Sequence, residues 1–249
     1  MKNIIKKWYY KLNFPKEYDE AFEKILEKSS LEPATIDQYT YGKDYEKDLL
    51  MFLYFCEDLE KYYKKTGISE DILLDTLSDI VVWTKIHFRI NKKIGLSETH
   101  WLVRHLSGRL FKLGRLQFCM ENEEIEVHIQ EGASLDEKEC DESFEKAKVF
   151  FKKYFPKRQF KYFTCESWLL DDTLKKFLKK SSNILKFAAR FTPYEKFESY
   201  SALTYIFERT ATEKNLSEYK ATSRFAEELK NYVLSGGKLY MVKGKIDIV

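Results

Sequence analysis

The chain has little of what interrupts a fold or links it covalently. Its 249 residues include 4 prolines and 9 glycines, too few for long flexible linkers. The 4 cysteines (Cys56, Cys119, Cys140, Cys165) form no CxxC pair. Each lies in an apolar or periodic stretch, which predicts buried free thiols in a reducing compartment. No apolar run approaches the length of a membrane span. Met1 to Leu12 carries lysines but no continuous apolar core, so it does not read as a secretion signal, and the expected location is the cytoplasm. An excess of one charge is missing too. Lys+Arg 43 against Asp+Glu 40 leaves a net +3, which predicts neither a nucleic-acid groove nor an anionic membrane partner.

Several catalytic signatures are also absent. There is no GxGxxG, no P-loop and no GxSxG elbow. His100 and His105 lack the HExxH spacing that places two ligands on one helix face, and no Cys or carboxylate cluster completes a set, so no metal is expected. Cys165 as a nucleophile would need a histidine and an electropositive setting, yet its neighbour is Glu166; a core thiol is the expectation.

What is present is core material: 44% of residues are hydrophobic and 16% aromatic, enough for one large domain or two modest ones. Residues 1–107 read as four or five helices. Pro15 suits the first turn of a helix whose apolar face carries Tyr18, Phe22, Ile25 and Leu26. A long helix from Asp44 to Lys65 is apolar over Leu49–Cys56, too broad for one exposed face, and belongs at the centre of a bundle. Gly67 ends it. Ser69 starts the next helix, with Ile68 and Leu73 as a hydrophobic staple; its stripe is Leu73, Leu77, Ile80, Val81 and Phe88. Ser97 caps another.

The periodicity then changes. The switch falls between Leu106 and Leu116 and admits two readings. Gly108 ends the last helix, and Phe111 to Phe118 form a strand bulged at Gly114; or the helix runs to Leu113 and Gly114 caps it. The first is preferred. Asn122 sits in a hairpin turn, and Ile125, Val127 and Ile129 alternate with Glu126, His128 and Gln130 as in a half-buried strand. Cys140, Phe144, Ala147, Phe151 and Tyr154 form a helical stripe stopped by Pro156. Phe163, Cys165, Ser167 and Leu169 alternate again. Asp171 caps a short helix marked by Leu174, Phe177 and Leu178. Leu185, Phe187, Ala189 and Phe191 read as a further strand, Thr192–Ser201 as a loop, and Leu203, Tyr205 and Phe207 as a weaker strand. Phe225, Leu229, Tyr232 and Val233 mark a helix. Leu239–Val242 and Lys245–Val249, joined by Lys243-Gly244, look like a closing hairpin. Strands alternating with helices predict a sheet with helical cover, whose ligands sit where the strands end.

One loop fits that position. Gln130–Ser134 follows a strand and opens a helix, whose free backbone N–H groups suit a phosphate; Gly132 lets a ligand approach. An ordinary turn capped by Ser134 or Asp136 explains the same residues, and Glu131 and Asp136 oppose an anion.

Four blocks carry a resemblance: Gly114-Arg115-Leu116-Gln117-Phe118; Val127-His128-Ile129-Gln130-Glu131-Gly132 with Leu135-Asp136; Phe163-Thr164-Cys165-Glu166-Ser167-Trp168-Leu169-Leu170-Asp171; and Ser182-Asn183-Ile184. Together they resemble a bacterial family of acyltransferase-related proteins. Its members join a helical N-acyltransferase N-terminal domain to a GNAT-like C-terminal domain. The resemblance implies an all-helical domain over 1–107 and, over 108–249, a mixed-sheet α+β or α/β domain with helices on both faces. It further implies an acyl-CoA, acetyl-CoA or another, held between two splayed strands as co-substrate. Val127, Ile129 and Gln130 would lie along its pantetheine, with Gly132, Ala133 and Ser134 at its pyrophosphate and Tyr162–Leu169 as the neighbouring strand. The loop departs from the usual R/Q-x-x-G-x-G/A pattern, keeping only Gly132-Ala133 beside Glu131.

The expected activity is transfer of an acyl group to a small-molecule or peptide amine. Glu166 and His128 are the candidate bases, with Trp168 on the Glu166 face as an apolar wall. A non-catalytic module of the same fold is the alternative, favoured by the acidic loop; assembly through the helical region is a third.

Overall fold

The computed structural model describes residues 1–248. The helical region contains α1 (Lys2–Lys11), α2 (Asp19–Lys28), α3 (Tyr45–Thr66), α4 (Glu70–Asn91) and α5 (Thr99–Leu106). α3 occupies the centre, with Leu49 to Leu53, Phe55 and Cys56 all buried. Asp44 caps it through Lys47 N, and Gly67 ends it at φ +73, a left-handed conformation that favours glycine. Glu98, rather than Ser97, occupies the cap position of α5.

A six-stranded sheet follows, in the order β1-β2-β3-β4-β6-β5. Its strands are β1 (Leu110–Leu113), β2 (Leu116–Met120), β3 (Glu124–Ile129), β4 (Tyr162–Ser167), β5 (Thr192–Glu198) and β6 (Tyr240–Asp247). β3 and β4 are parallel and joined by α6 (Glu137–Tyr154); the other neighbours are antiparallel. α7 (Asn183–Ala188), α8 (Ala202–Ile206) and α9 (Arg224–Leu234) complete the chain.

The two faces of the sheet are covered differently. α6 packs on one, where Phe144 meets Phe118 at 5.8 Å and Phe163 at 5.3 Å between ring centroids. α4 and α5 pack on the other. One hydrophobic cluster runs from Ile5 to Phe191, so the core passes from helices to sheet without a break. A smaller cluster gathers Leu174, Leu203, Leu216, Leu229 and Leu239.

The helix ends at Gly108 as expected, but the segment after it is a hairpin and not one bulged strand. Gly114, at φ +79, turns β1 into β2. Three alternations proved misleading. Leu185–Phe191 is mostly α7, because Phe187 and Phe191 bury at helical spacing and their rings meet at 5.3 Å. Leu203–Phe207 lies largely in α8, where the adjacent Ala202 and Leu203 are both buried. The closing hairpin is the single strand β6, paired with β4 on one side and β5 on the other; Val249 lies outside the described residues. Gly244 serves packing there, since a Cβ would stand 2.8 Å from Phe191 Cβ. The Thr192–Ser201 stretch is mainly β5, an edge strand exposed along its whole length, with Pro193 beside its register shift as edge strands tolerate. The short helix after Asp171 is a 3-10 turn over Asp172–Lys176, capped by Asp171. No helix among the described residues is long and apolar enough to cross a membrane.

Candidate active site

β3 and β4 begin as partners and then part. They pair over Glu124↔Tyr162, Ile125↔Phe163 and Glu126↔Thr164. Past that point β3 continues against β2 to Ile129, and β4 against β6 to Ser167. The facing edges of Val127–Ile129 and Cys165–Ser167 therefore lack a strand partner in each other. A cleft of about 690 Å³ opens between them, bordered by Val127, Ile129, Cys165 and Leu169 and walled by Trp83, Trp101, Tyr205 and Arg209.

The side of the cleft toward α5 is polar. His128 packs edge-on to Trp101, 4.7 Å between rings. Its Nε2 lies 3.3 Å from Glu126 Oε2, without the angle of a hydrogen bond, and Arg104 Nη1 donates to the same oxygen at 2.7 Å. His128 beside it and Arg104 behind it outweigh burial and hold Glu126 at about 2. Directly opposite His128, on β2, stands Gln117, whose Nε2 is 3.3 Å from His105 Nε2. His105 contacts Asp79 Oδ2 at 3.0 Å. Trp101 Nε1 donates to that oxygen at 2.8 Å, and Gln130 Nε2 donates to Asp79 Oδ1 at 3.0 Å. Burial alone would raise the Asp79 carboxyl; the His105, Trp101 and Gln130 contacts reverse this and hold it at about 2. Asp79 and Glu126 thus stay ionised and orient donors, and at neutral pH they do not take up protons.

The loop after β3 is closed by Ala133 N donating to Gln130 O at 3.0 Å. Gly132 sits at φ +77 with nothing within 4 Å of where a Cβ would stand. Asp136, of the two cap candidates, caps α6 through Glu139 N. Glu131, the acid that opposes a phosphate, is met by Arg209 Nη2 at 3.0 Å.

Of the candidate site residues, His128, Glu166, Val127, Ile129, Gln130, Gly132 and Ala133 line this cleft. Ser134 is exposed and lies outside its lining. Gln130 turns its side chain to α4 and to Lys112 Nζ, 2.7 Å away, so its side chain is committed to holding the loop on the helices. Glu166 is half-exposed and 3.7 Å from Lys243. Trp168 does not continue the β4 face; it begins a 3-10 turn, capped by Ser167, and stacks on Tyr205. Cys165 is buried, and burial pushes its thiol up to about 12, so it is a core thiol. Cys119, Glu121 and Glu126 bring possible ligand atoms within 4.8 Å of one another. A cation arriving there would meet the Arg104 guanidinium and a thiol that burial pushes up to about 12.

Asp79, Trp83, Trp101 and Arg209 were not candidate site residues in the sequence. Asp79 lies within an apolar helix stripe, and Arg209 reaches Glu131 across 78 residues of chain; no local pattern marks such a partner.

The description "GNAT-like C-terminal domain" matches residues 110–246, and "N-acyltransferase N-terminal domain" matches 9–108. The chain belongs to the family of N-acyltransferases with a GNAT-like C-terminal domain. Among solved structures it is similar to an acyltransferase in complex with decanoyl-CoA and teicoplanin. The match has 25% identity and a TM-score of 0.76, over 82% of this chain and 67% of that one. An acyltransferase in complex with CoA and 10C-teicoplanin shares its fold at 24% identity, TM-score 0.76 and the same coverage. So does an acyltransferase mutant in complex with octanoyl-CoA, at 24% identity and TM-score 0.76 over 82% and 67% of the two chains. No curated protein matches. The parted strands are the arrangement that the resemblance implied, and His128 stands beside them.

Proposed function

We propose that this family member transfers an acyl group from an acyl-CoA to an amine, with the parted edges of β3 and β4 holding the donor. The observation that carries this reading is the loss of pairing beyond Glu126↔Thr164, beside His128. The residues present fit an acyl-CoA. The β3 edge at Val127–Ile129 is open to pantetheine, and Gly132 leaves room for a phosphate against the backbone. Bound there, the donor supplies an activated thioester carbonyl.

The protein's part is alignment and proton handling. Backbone N–H groups along Val127–Ile129 polarise the carbonyl oxygen. His128 takes the proton that the amine nitrogen loses as the new C–N bond forms, and the proton then passes to the departing sulfur. The ionised Glu126 lies 3.3 Å from His128 Nε2. Glu166, half-exposed on the facing strand, attracts an ammonium acceptor and is the second candidate base. Trp101 and Leu135 shield the reaction from water.

A donor longer than acetyl-CoA fits best. Leu169, Ile184 and Met241 give the cleft apolar wall, and the similar structures hold decanoyl- and octanoyl-CoA. The charge that favoured a non-catalytic module, Glu131, is balanced by Arg209, which removes the argument for that alternative.

The test is thiol release from acetyl-, octanoyl- and decanoyl-CoA with a panel of amines, followed by mass detection of the amide. CoA at a hundredfold its dissociation constant should add about 2.7 kcal/mol of stability. Absence of both thiol release and any thermal shift would overturn the reading.

A further inference from the structure

A group of hydrogen-bond donors stands inside the cleft and is not used by the chemistry above. The Arg209 guanidinium stands over two rings, its carbon 4.7 Å from the centroids of both Trp83 and Tyr205. One Nη2 donates to Glu131. A guanidinium has five N–H donors in a fixed fork, so capacity remains. Beside it, Trp83 is 8% exposed, lines the cleft, and has an indole N–H with no partner. A buried N–H without an acceptor is costly. Both side chains offer only donors, so the missing ligand is an acceptor, and the charge on Arg209 makes it an oxyanion.

The surroundings decide which oxyanion. Glu131, which Arg209 holds, directly precedes Gly132, the residue with open space around it. Of the other acids at the start of α6, Asp136 is the helix cap, accepting from Glu139 N, while Glu137 is tied to Lys186 at 2.6 Å and Glu139 to Arg115. Arg209 differs from these cations in lining the cleft itself.

Resting on the acyl-CoA reading, we propose that Arg209 and Trp83 form an anion-binding site in the wall of the cleft that takes a phosphate oxyanion of the donor. This cation comes from the chain's C-terminal part, where the usual loop would supply a basic or amide residue. Glu131 then holds Arg209 in place when no phosphate is bound.

Calorimetry on the full chain with CoA and with phosphate-free pantetheine tests this. Arg209→Ala should raise the CoA dissociation constant about tenfold, equivalent to about 1.4 kcal/mol, and leave pantetheine binding unchanged. Trp83→Phe should weaken CoA a few-fold, and Arg209→Lys, which keeps the charge but loses the fork, should fall between wild type and Arg209→Ala. Equal loss for CoA and pantetheine would make Arg209 a structural clamp and overturn the proposal, as would unchanged CoA binding in Arg209→Ala. A wild-type chain that binds neither ligand would instead overturn the acyl-CoA reading on which it rests.

Discussion

The two faces of the sheet are built from opposite materials. Under α6 the contacts are rings: Phe118, Phe144, Phe150 and Phe163. Under α4 and α5 they are polar: Asp79, His105, Gln117 and Gln130, with Trp101 donating to Asp79. An aromatic face gains stability from area and shape and has no protonation state. A buried polar face is costly unless its donors meet acceptors, and in return it holds charges in fixed places. The cleft opens where the polar face reaches the parted strands, and that is where a proton can be moved.

The comparison predicts its largest effect on the aromatic face. Phe163→Ala removes a fully buried ring between Phe118 and Phe144 and should cost about 3–5 kcal/mol of stability in urea unfolding. A variant as stable as wild type would mean that this face is loosely packed. Next, His128→Ala should leave stability nearly unchanged and lower kcat by on the order of 10²-fold, the scale of a lost general base. Unaltered turnover would remove His128 from the chemistry.

Acid should separate the faces as well. Asp79 and Glu126 are held below their unfolded values, at about 2, so the stability they contribute is complete only above about pH 5. It is lost as pH falls toward 2, by on the order of 2 kcal/mol for Asp79. Glu60, held down to about 2 by Lys11, Lys7 and Lys64 against its burial, adds the same slope in the helical region. Asp79→Asn should flatten the curve of urea midpoint against pH between 4 and 2, whereas Phe163→Ala should shift it without changing its slope. The smallest effect belongs to Glu166→Gln. Half-exposed and shared with Lys243, it should lower kcat by about tenfold and leave CoA affinity alone. A loss as large as that of His128→Ala would exchange the two residues' roles.

Composition and periodicity determined a good deal of this protein. The helical half, the cap at Gly67, the strand at Ile125–Ile129 and the helix ending before Pro156 follow from apolar spacing and turn residues. These signals are local and survive in any tertiary context. The loop at Gly132 was legible in the same way, as a turn between strand and helix; His128 entered as a candidate base only through the acyltransferase resemblance. The misread stretches are those where two periods overlap. In Leu185–Phe191 an apolar residue stands at every second position and also at helical spacing, and only burial of Phe187 and Phe191 distinguishes the two. Gly244 looked like a turn because a sequence does not show which side chain will press against the backbone. The parting of β3 from β4, the Asp79 network and the approach of Arg209 to Glu131 were decided by the tertiary structure alone. Each depends on groups distant along the chain meeting at one place, and charge and hydrogen bonding act on that separation in space, of which the order of residues carries no trace.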